Sequence, residues 1–191
     1  MFIKKFLILI TLIIFTGVAM AENTKEKLLI ELSHGDVIIE LHSDIAPLHV
    51  EQIKTLARDG FYDGIIFHRV IDGFMAQTGD PTGTGMGGSG YPNLKAEFSN
   101  KPFDRGTVGM ARSSNPNSAN SQFFICFQPA HFLNQQYTVW GTVVEGMENV
   151  DKIARGEPPA RVLGARGGRP GHRGAGDRAD QRVPPHARHP S

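Results

Sequence analysis

Cysteine is nearly absent. Cys126 is the only one in the chain, so no intramolecular disulfide can form and a packed core must hold the fold. A reactive thiol is disfavoured as well, because no lysine flanks Cys126 and His131 lies five positions on; a small buried hydrophobe at a strand end is the expected role. The histidines show no paired metal-ligand spacing, so neither a metal nor another cofactor is expected. Net charge is only +1, which removes the global electrostatic case for a nucleic-acid partner. Gly83, Gly85, Gly87, Gly88 and Gly90 precede no Gly-Lys-Ser/Thr and open no helix. A flexible surface loop is therefore expected in place of a phosphate cradle. Ser121 has no nucleophile-elbow context, which argues against a hydrolase.

Long apolar runs are scarce too. Phe6 to Val18, interrupted by Thr11, Thr16 and Gly17, falls short of the ~20 residues that a membrane span needs. Lys4 and Lys5 precede it and Ala19-Met20-Ala21 follows it, the layout of a secretory signal peptide cleaved after Ala21. Residues 1–21 are thus expected to be removed. The mature chain would be exported to a bacterial periplasm with no membrane anchor left.

The body, residues 22–159, alternates strand and turn patterns. Lys27–Leu32 and Asp36–Leu41 read as a β-hairpin across Ser33-His34-Gly35. A helix is predicted from Pro47 to a stop at Gly60, with Val50, Ile53, Leu56 and Ala57 on one face. Strands are predicted over Ile65–Val70, Phe74–Thr78, Gly106–Ala111, Ser121–Phe127 and Thr138–Val144, and a second helix over Met147–Ala154. Many short strands with two helices predict a mostly β fold, a closed antiparallel barrel capped at its ends.

From Ala160 the composition changes. Arginine occurs seven times in residues 160–191, against five in the preceding 159, and lysine vanishes. Three readings stay open: a disordered tail, a basic arm for anionic lipid or nucleic acid, and a shift of reading frame in the coding DNA. The third is preferred, because the change at Pro159-Ala160 is abrupt.

Two runs carry the chemistry. Gly64 to Asp80 sets Arg69 among apolar and aromatic residues, with Gln77 close by, and Ser118 to Cys126 repeats the combination of amide and aromatic. Alternation puts Met75 with Gln77 on one strand face and Gln122 with Phe124 on another. If these strands are neighbours, Arg69, Met75, Gln77, Gln122 and Phe124 form one surface, half apolar and half hydrogen-bonding. Such a surface suits a proline ring and its flanking backbone. The same alternation sends His68 to the opposite face, and Asp72 and Asp80 are candidate ion-pair partners for Arg69.

Together the two runs resemble the signature strands of the cyclophilin family of peptidyl-prolyl cis-trans isomerases, in its bacterial periplasmic branch. The likeness extends from Leu28 to Pro159. It includes Gly60-Phe61-Tyr62-Asp63-Gly64, Gly106-Thr107-Val108-Gly109-Met110-Ala111 and Val143-Val144-Glu145-Gly146-Met147. The resemblance implies an eight-stranded closed barrel with Arg69 as the catalytic arginine. Phe74, Met75, Phe124 and Leu133 would form the proline pocket. Gln77 and Gln122, with the backbone near Ala111 and Arg112, would hold the peptide main chain. Phe132 and Tyr137 stand at pocket positions that are tryptophan and histidine in many eukaryotic members. The family's last strand, an alternating apolar run after Pro159, is absent from the sequence pattern, which predicts an unpaired sheet edge. The implied activity is rotation about X–Pro bonds of unfolded exported proteins by a monomer that needs no cofactor. The alternative is a non-catalytic, chaperone-like module that binds proline-containing segments.

Overall fold

Alternating burial builds the sheet. In the computed structural model, which describes residues 25–155 and the backbone of Val162–Gly168, β1 (Lys27–Leu32) turns Leu28, Ile30 and Leu32 inward. In β2 (Gly35–Leu41), Val37, Ile39 and Leu41 do the same. The two pair as an antiparallel hairpin with Lys27 opposite Glu40 and Leu32 opposite Gly35. Gly35 sits at φ +137°, where an added Cβ would strike the Asn149 side chain. The expected signal peptide and the tail beyond Gly168 lie outside the described residues.

The remaining strands are β3 (Arg69–Ile71), β4 (Met75–Thr78), β5 (Thr107–Met110), β6 (Phe123–Cys126), β7 (Val139–Glu145) and β8 (Val162–Gly168). All join one antiparallel sheet in the order β3-β4-β6-β5-β7-β2-β1-β8. The fold is thus mostly β, with β3 and β8 at the two edges of the sheet's hydrogen-bonded order. β8 corrects the expectation of a missing last strand. It pairs with β1 from Lys27 opposite Gly168 to Leu32 opposite Val162, with a register shift between Glu31 and Leu32 that leaves residue 163 without a partner in the ladder. The segment Val162 to Gly168 has no alternating apolar pattern, but an antiparallel ladder is made by backbone groups and does not require one.

Helix α1 (Pro47–Arg58) buries His49, Val50, Ile53, Leu56 and Ala57. Its C-terminus follows the Schellman pattern, with Gly60 at φ +70°, Gly60 N–H donating to Ala57 O and Phe61 N–H to Leu56 O. Its N-terminus is capped from a distance. Ala46 offers no capping side chain; instead the Glu97 carboxylate accepts the N–H groups of Leu48 and His49, both at 3.1 Å. An anion there satisfies orphan donors and complements the helix dipole. The second helix, α2 (Met147–Asp151), is shorter than the sequence pattern indicates.

Two apolar clusters lie on opposite faces of the central strands. Ala76, Val108, Met110, Phe123, Ile125 and Trp140 join α1 and the hairpin in the main core. Met75, Phe103, Phe124, Cys126, Leu133 and Val139 form a second cluster behind them. Burial pushes the Cys126 thiol up to about 12, so it stays protonated and inert.

His49 makes the fold pH-sensitive. It is fully buried, and its Nδ1 lies 2.6 Å from Glu97 Oε2. Burial lowers its pKa below 6.5, outweighing the Glu97 hydrogen bond that raises it. The folded state therefore binds this proton less readily than the unfolded chain, and stability present above pH 6.5 is lost as pH falls through that value. His42 and His68 shift in the same direction. Melting temperature is expected to drop between about pH 7.5 and about pH 5.5, with a shallower slope in His49→Asn. Parallel melting curves for the two proteins would contradict this role.

Candidate active site

Register brings the signature residues together. β4 pairs with β6 so that Gln77 stands opposite Phe124 and Met75 opposite Cys126, while β3 sets Arg69 opposite Gln77. On this outer face lies a cleft of about 550 Å³ whose apolar end is made by Phe74, Met75, Phe124, Phe132, Leu133 and Tyr137. Phe103 stacks on Phe124 at 5.7 Å between ring centroids, and the edge of Tyr137 meets Phe124 at 5.9 Å. Gly109 permits this packing: an added Cβ would come within 2.6 Å of both Phe103 and Phe124. Phe132 is 66% exposed and leans against Phe74, forming a rim more than a wall.

A directional hydrogen-bond chain orients the polar side of the cleft. Gln122 Nε2 donates to Gly87 O at 2.8 Å and Gly85 O at 3.0 Å. Its Oε1 is therefore the atom that accepts from Gln77 Nε2, at 2.9 Å. Gln77 Oε1 is left to accept from Arg69 Nη1 at 3.3 Å. Each amide has one orientation consistent with its neighbour. The guanidinium is exposed and uses few of its five donors here, leaving others free to face the cleft.

The far end of that chain rests on Asp80, which is 1% exposed. Its carboxylate accepts the Thr82 amide and hydroxyl at 2.7 and 2.8 Å and the amides of Gly85 and Gly87 at 2.6 and 3.2 Å. Burial alone would raise the Asp80 carboxyl, but the hydrogen bonds from Thr82, Gly87 and Gly85 outweigh it and hold it well below the usual carboxylate range. The glycine-rich segment read as a flexible surface loop is thus wound around a buried anion, and its carbonyls orient Gln122.

A second cleft, also about 550 Å³, adjoins the first and shares Gln77, Gly85, Ala111 and Arg112 with it. Gln122 lines this second cleft. Arg69 and the ten residues expected to bind the peptide therefore all border one or other of two contiguous clefts. Ala111 donates its N–H to Gln122 O at 2.9 Å.

Two expectations are corrected. His68 borders the first cleft beside Arg69, because β3 begins only at Arg69 and strict alternation does not reach back to residue 68. Burial drives its pKa down, outweighing the Asp80 charge that raises it, and the charge of Arg69 adds to the lowering, so the neutral imidazole is favoured at pH 7. Neither Asp72 nor Asp80 pairs with Arg69: Asp72 binds Arg155 at 2.6 Å, and Asp80 lies beneath the glycine loop. Thr84, Met86, Ser89, Asn93, Ser113, Ser118 and Asn120 also line the clefts. Ser118 and Asn120 belong to the second signature run, while no sequence signal marked the others.

The chain matches known proteins over this region. A family model described as cyclophilin type peptidyl-prolyl cis-trans isomerase/CLD covers residues 27–164. A probable peptidyl-prolyl cis-trans isomerase of Brucella suis is 57% identical over 149 residues, spanning 72% of this chain and 76% of the relative. A peptidyl-prolyl cis-trans isomerase of Helicobacter pylori is 42% identical over 132 residues, 67% of this chain and 80% of the relative. Among solved structures, a Cryptosporidium parvum cyclophilin type peptidyl-prolyl cis-trans isomerase in the presence of the dipeptide Ala-Pro superposes with a TM-score of 0.70. It is 28% identical and spans 75% of this chain and 99% of that one. A cyclophilin from Hirschia baltica gives a TM-score of 0.68 at 29% identity, over 74% of this chain and 73% of that one.

Asp80→Asn tests the loop's anchor. An amide can replace only one of the two carboxylate oxygens as acceptor, so either the Thr82 amide, held by Oδ1, or the Gly85 and Gly87 amides, held by Oδ2, should exchange with solvent faster than in the wild type. The stability loss should be about 1–3 kcal/mol. Unchanged protection at all three amides, Thr82, Gly85 and Gly87, would show that Asp80 does not hold the loop.

Proposed function

Because the chain belongs to the cyclophilin-type peptidyl-prolyl cis-trans isomerases, we propose that it rotates X–Pro bonds of exported proteins with Arg69 as the catalytic group. The observation that carries this reading is a guanidinium held by Gln77 at the mouth of an apolar cleft. The proline ring sits among Phe74, Met75, Phe124 and Leu133, with Phe132 and Tyr137 completing the rim. Gln77, Gln122 and the backbone near Ala111 and Arg112 hold the peptide main chain. The relative solved in the presence of Ala-Pro supports a small prolyl ligand here.

The chemistry follows from the amide. Rotation must break resonance, against a barrier of about 18–20 kcal/mol. As the bond twists, the proline nitrogen becomes pyramidal and regains its lone pair. A guanidinium aimed at that lone pair bonds more strongly in the twisted state than in the planar one, which is the condition for catalysis. Arginine keeps its charge throughout, so the step needs no proton transfer, nucleophile or cofactor. His68, neutral beside Arg69, adds no competing charge.

The cellular setting is the bacterial periplasm. The reading rests on the basic start, apolar run and Ala19-Met20-Ala21 site of residues 1–21. Cleavage after Ala21 leaves a monomer without an anchor; no described helix is long and apolar enough to cross a membrane. The eight strands close into the family's barrel, with β3 and β8 as its seam. Uncatalysed prolyl isomerisation takes tens of seconds, slow enough to limit the folding of exported chains.

Two measurements test this. NMR exchange between cis and trans forms of a short X–Pro peptide should be accelerated by the wild type and about a hundredfold less by Arg69→Ala. Equal rates would remove Arg69 from the chemistry, while peptide binding without any acceleration would favour a chaperone-like binder. Expression of the full chain in a Gram-negative host should place the protein in the periplasmic fraction with Glu22 as its first residue. A cytoplasmic, uncleaved product would refute the export reading.

A further inference from the structure

Arg112 lies on the ridge between the two clefts and lines both. Neutral groups hold it in place. Its Nε and Nη2 donate to Gln136 O at 3.2 and 2.8 Å, and Nη1 donates to Ser113 O at 2.8 Å. The guanidinium carbon stands 4.3 Å from the centre of the Tyr137 ring. Three carbonyls, counting Ser114 at 3.5 Å, take up to four of the five N–H groups, so at least one stays open. The charge is thus oriented but not neutralised.

No carboxylate offsets it from within the clefts. Among the described residues, neither cleft is lined by an aspartate or a glutamate, and neither Arg112 nor Arg69 forms an ion pair. The nearest acid in the loop, Asp80, is buried and saturated by its own hydrogen bonds. His68 is held neutral. The second cleft is also polar, with Ser89, Asn93, Ser113, Ser118 and Asn120 on its walls. A cationic ridge above a hydroxyl- and amide-lined cleft fits an acidic side chain better than an aliphatic one.

We propose that Arg112 is a specificity-determining residue. It selects prolyl segments that carry a glutamate or aspartate on the side of the proline that runs into the second cleft, by binding that carboxylate. The inference rests on the isomerase reading of the first cleft. A proline seated there leaves its neighbours to cross the ridge of Ala111 and Arg112. At about 3.3 Å per extended residue, an acidic side chain one to three positions from the proline comes within reach of the guanidinium.

The experiment compares blocked peptides, N-acetylated and C-amidated, with Glu or Gln placed one, two or three residues before or after a single proline. Catalysed exchange gives kcat/KM for each with the full mature protein. The Glu peptide is expected to exceed its Gln twin by about two- to fivefold, and only on one side of the proline. The ratio should shrink toward one in about 1 M salt and in Arg112→Gln, while Arg112→Lys should keep part of it. A ratio of one at every position, or a ratio undiminished in a folded Arg112→Gln, would overturn the assignment. If that variant does not fold, a wild-type ratio indifferent to salt overturns it equally. Failure of the wild type to accelerate any peptide would instead count against the isomerase reading itself.

Discussion

Burial of β6 on both faces is the constraint from which the rest follows. Phe123 and Ile125 close the main core, and Phe124 and Cys126 support the floor of the cleft. A slip of one residue would exchange the two sets and present Phe123 where Phe124 meets Gln77. Core packing therefore enforces the register that places the site. The same strand that seals the hydrophobic interior positions the polar residues beside it, so stability and site geometry cannot vary independently here.

Rigidity at the site is built from neutral hydrogen bonds that end on a buried anion. The chain from Asp80 through the loop carbonyls, Gln122 and Gln77 to Arg69 leaves little choice of orientation at any step. In the function proposed above, a guanidinium oriented in this way has less conformational entropy to lose when a substrate binds. Arg112 is oriented in the same manner, by carbonyls and a ring face in place of a carboxylate. Both arginines thus keep an unspent charge at the mouth of the clefts.

Much of this was legible in the order of residues, and the parts that were not share a cause. The hairpin, α1 and the inward residues of β1 and β2 follow local periodicity, which one stretch of sequence carries by itself. The cleft residues could be named because two dense runs supply most of them. Glu97 capping a helix some fifty positions upstream could not be read, since nothing near either partner marks the contact. The loop from Gly83 to Gly90 looked unstructured because its organiser, Asp80, acts through backbone amides that every sequence possesses. His68 was placed on the wrong face because alternation was extended into residues that are not strand. β8 escaped notice because its ladder is backbone to backbone, and the apolar alternation that usually betrays a strand is missing from Val162 to Gly168.

That last pairing has a kinetic side. β1 is the first of the described strands to be made and β8 the last, yet each completes the other's ladder, with Lys27 opposite Gly168. Until the final strand arrives, one edge of β1 stays open, and closing so long a loop is entropically slow. Meanwhile the charged side chains of Lys27 and Glu31, which alternate with the buried leucines and isoleucine of β1, make that edge a poor template for a neighbouring chain. The chain thus carries, in its own topology, a pairing that must wait until residue 168 has been made.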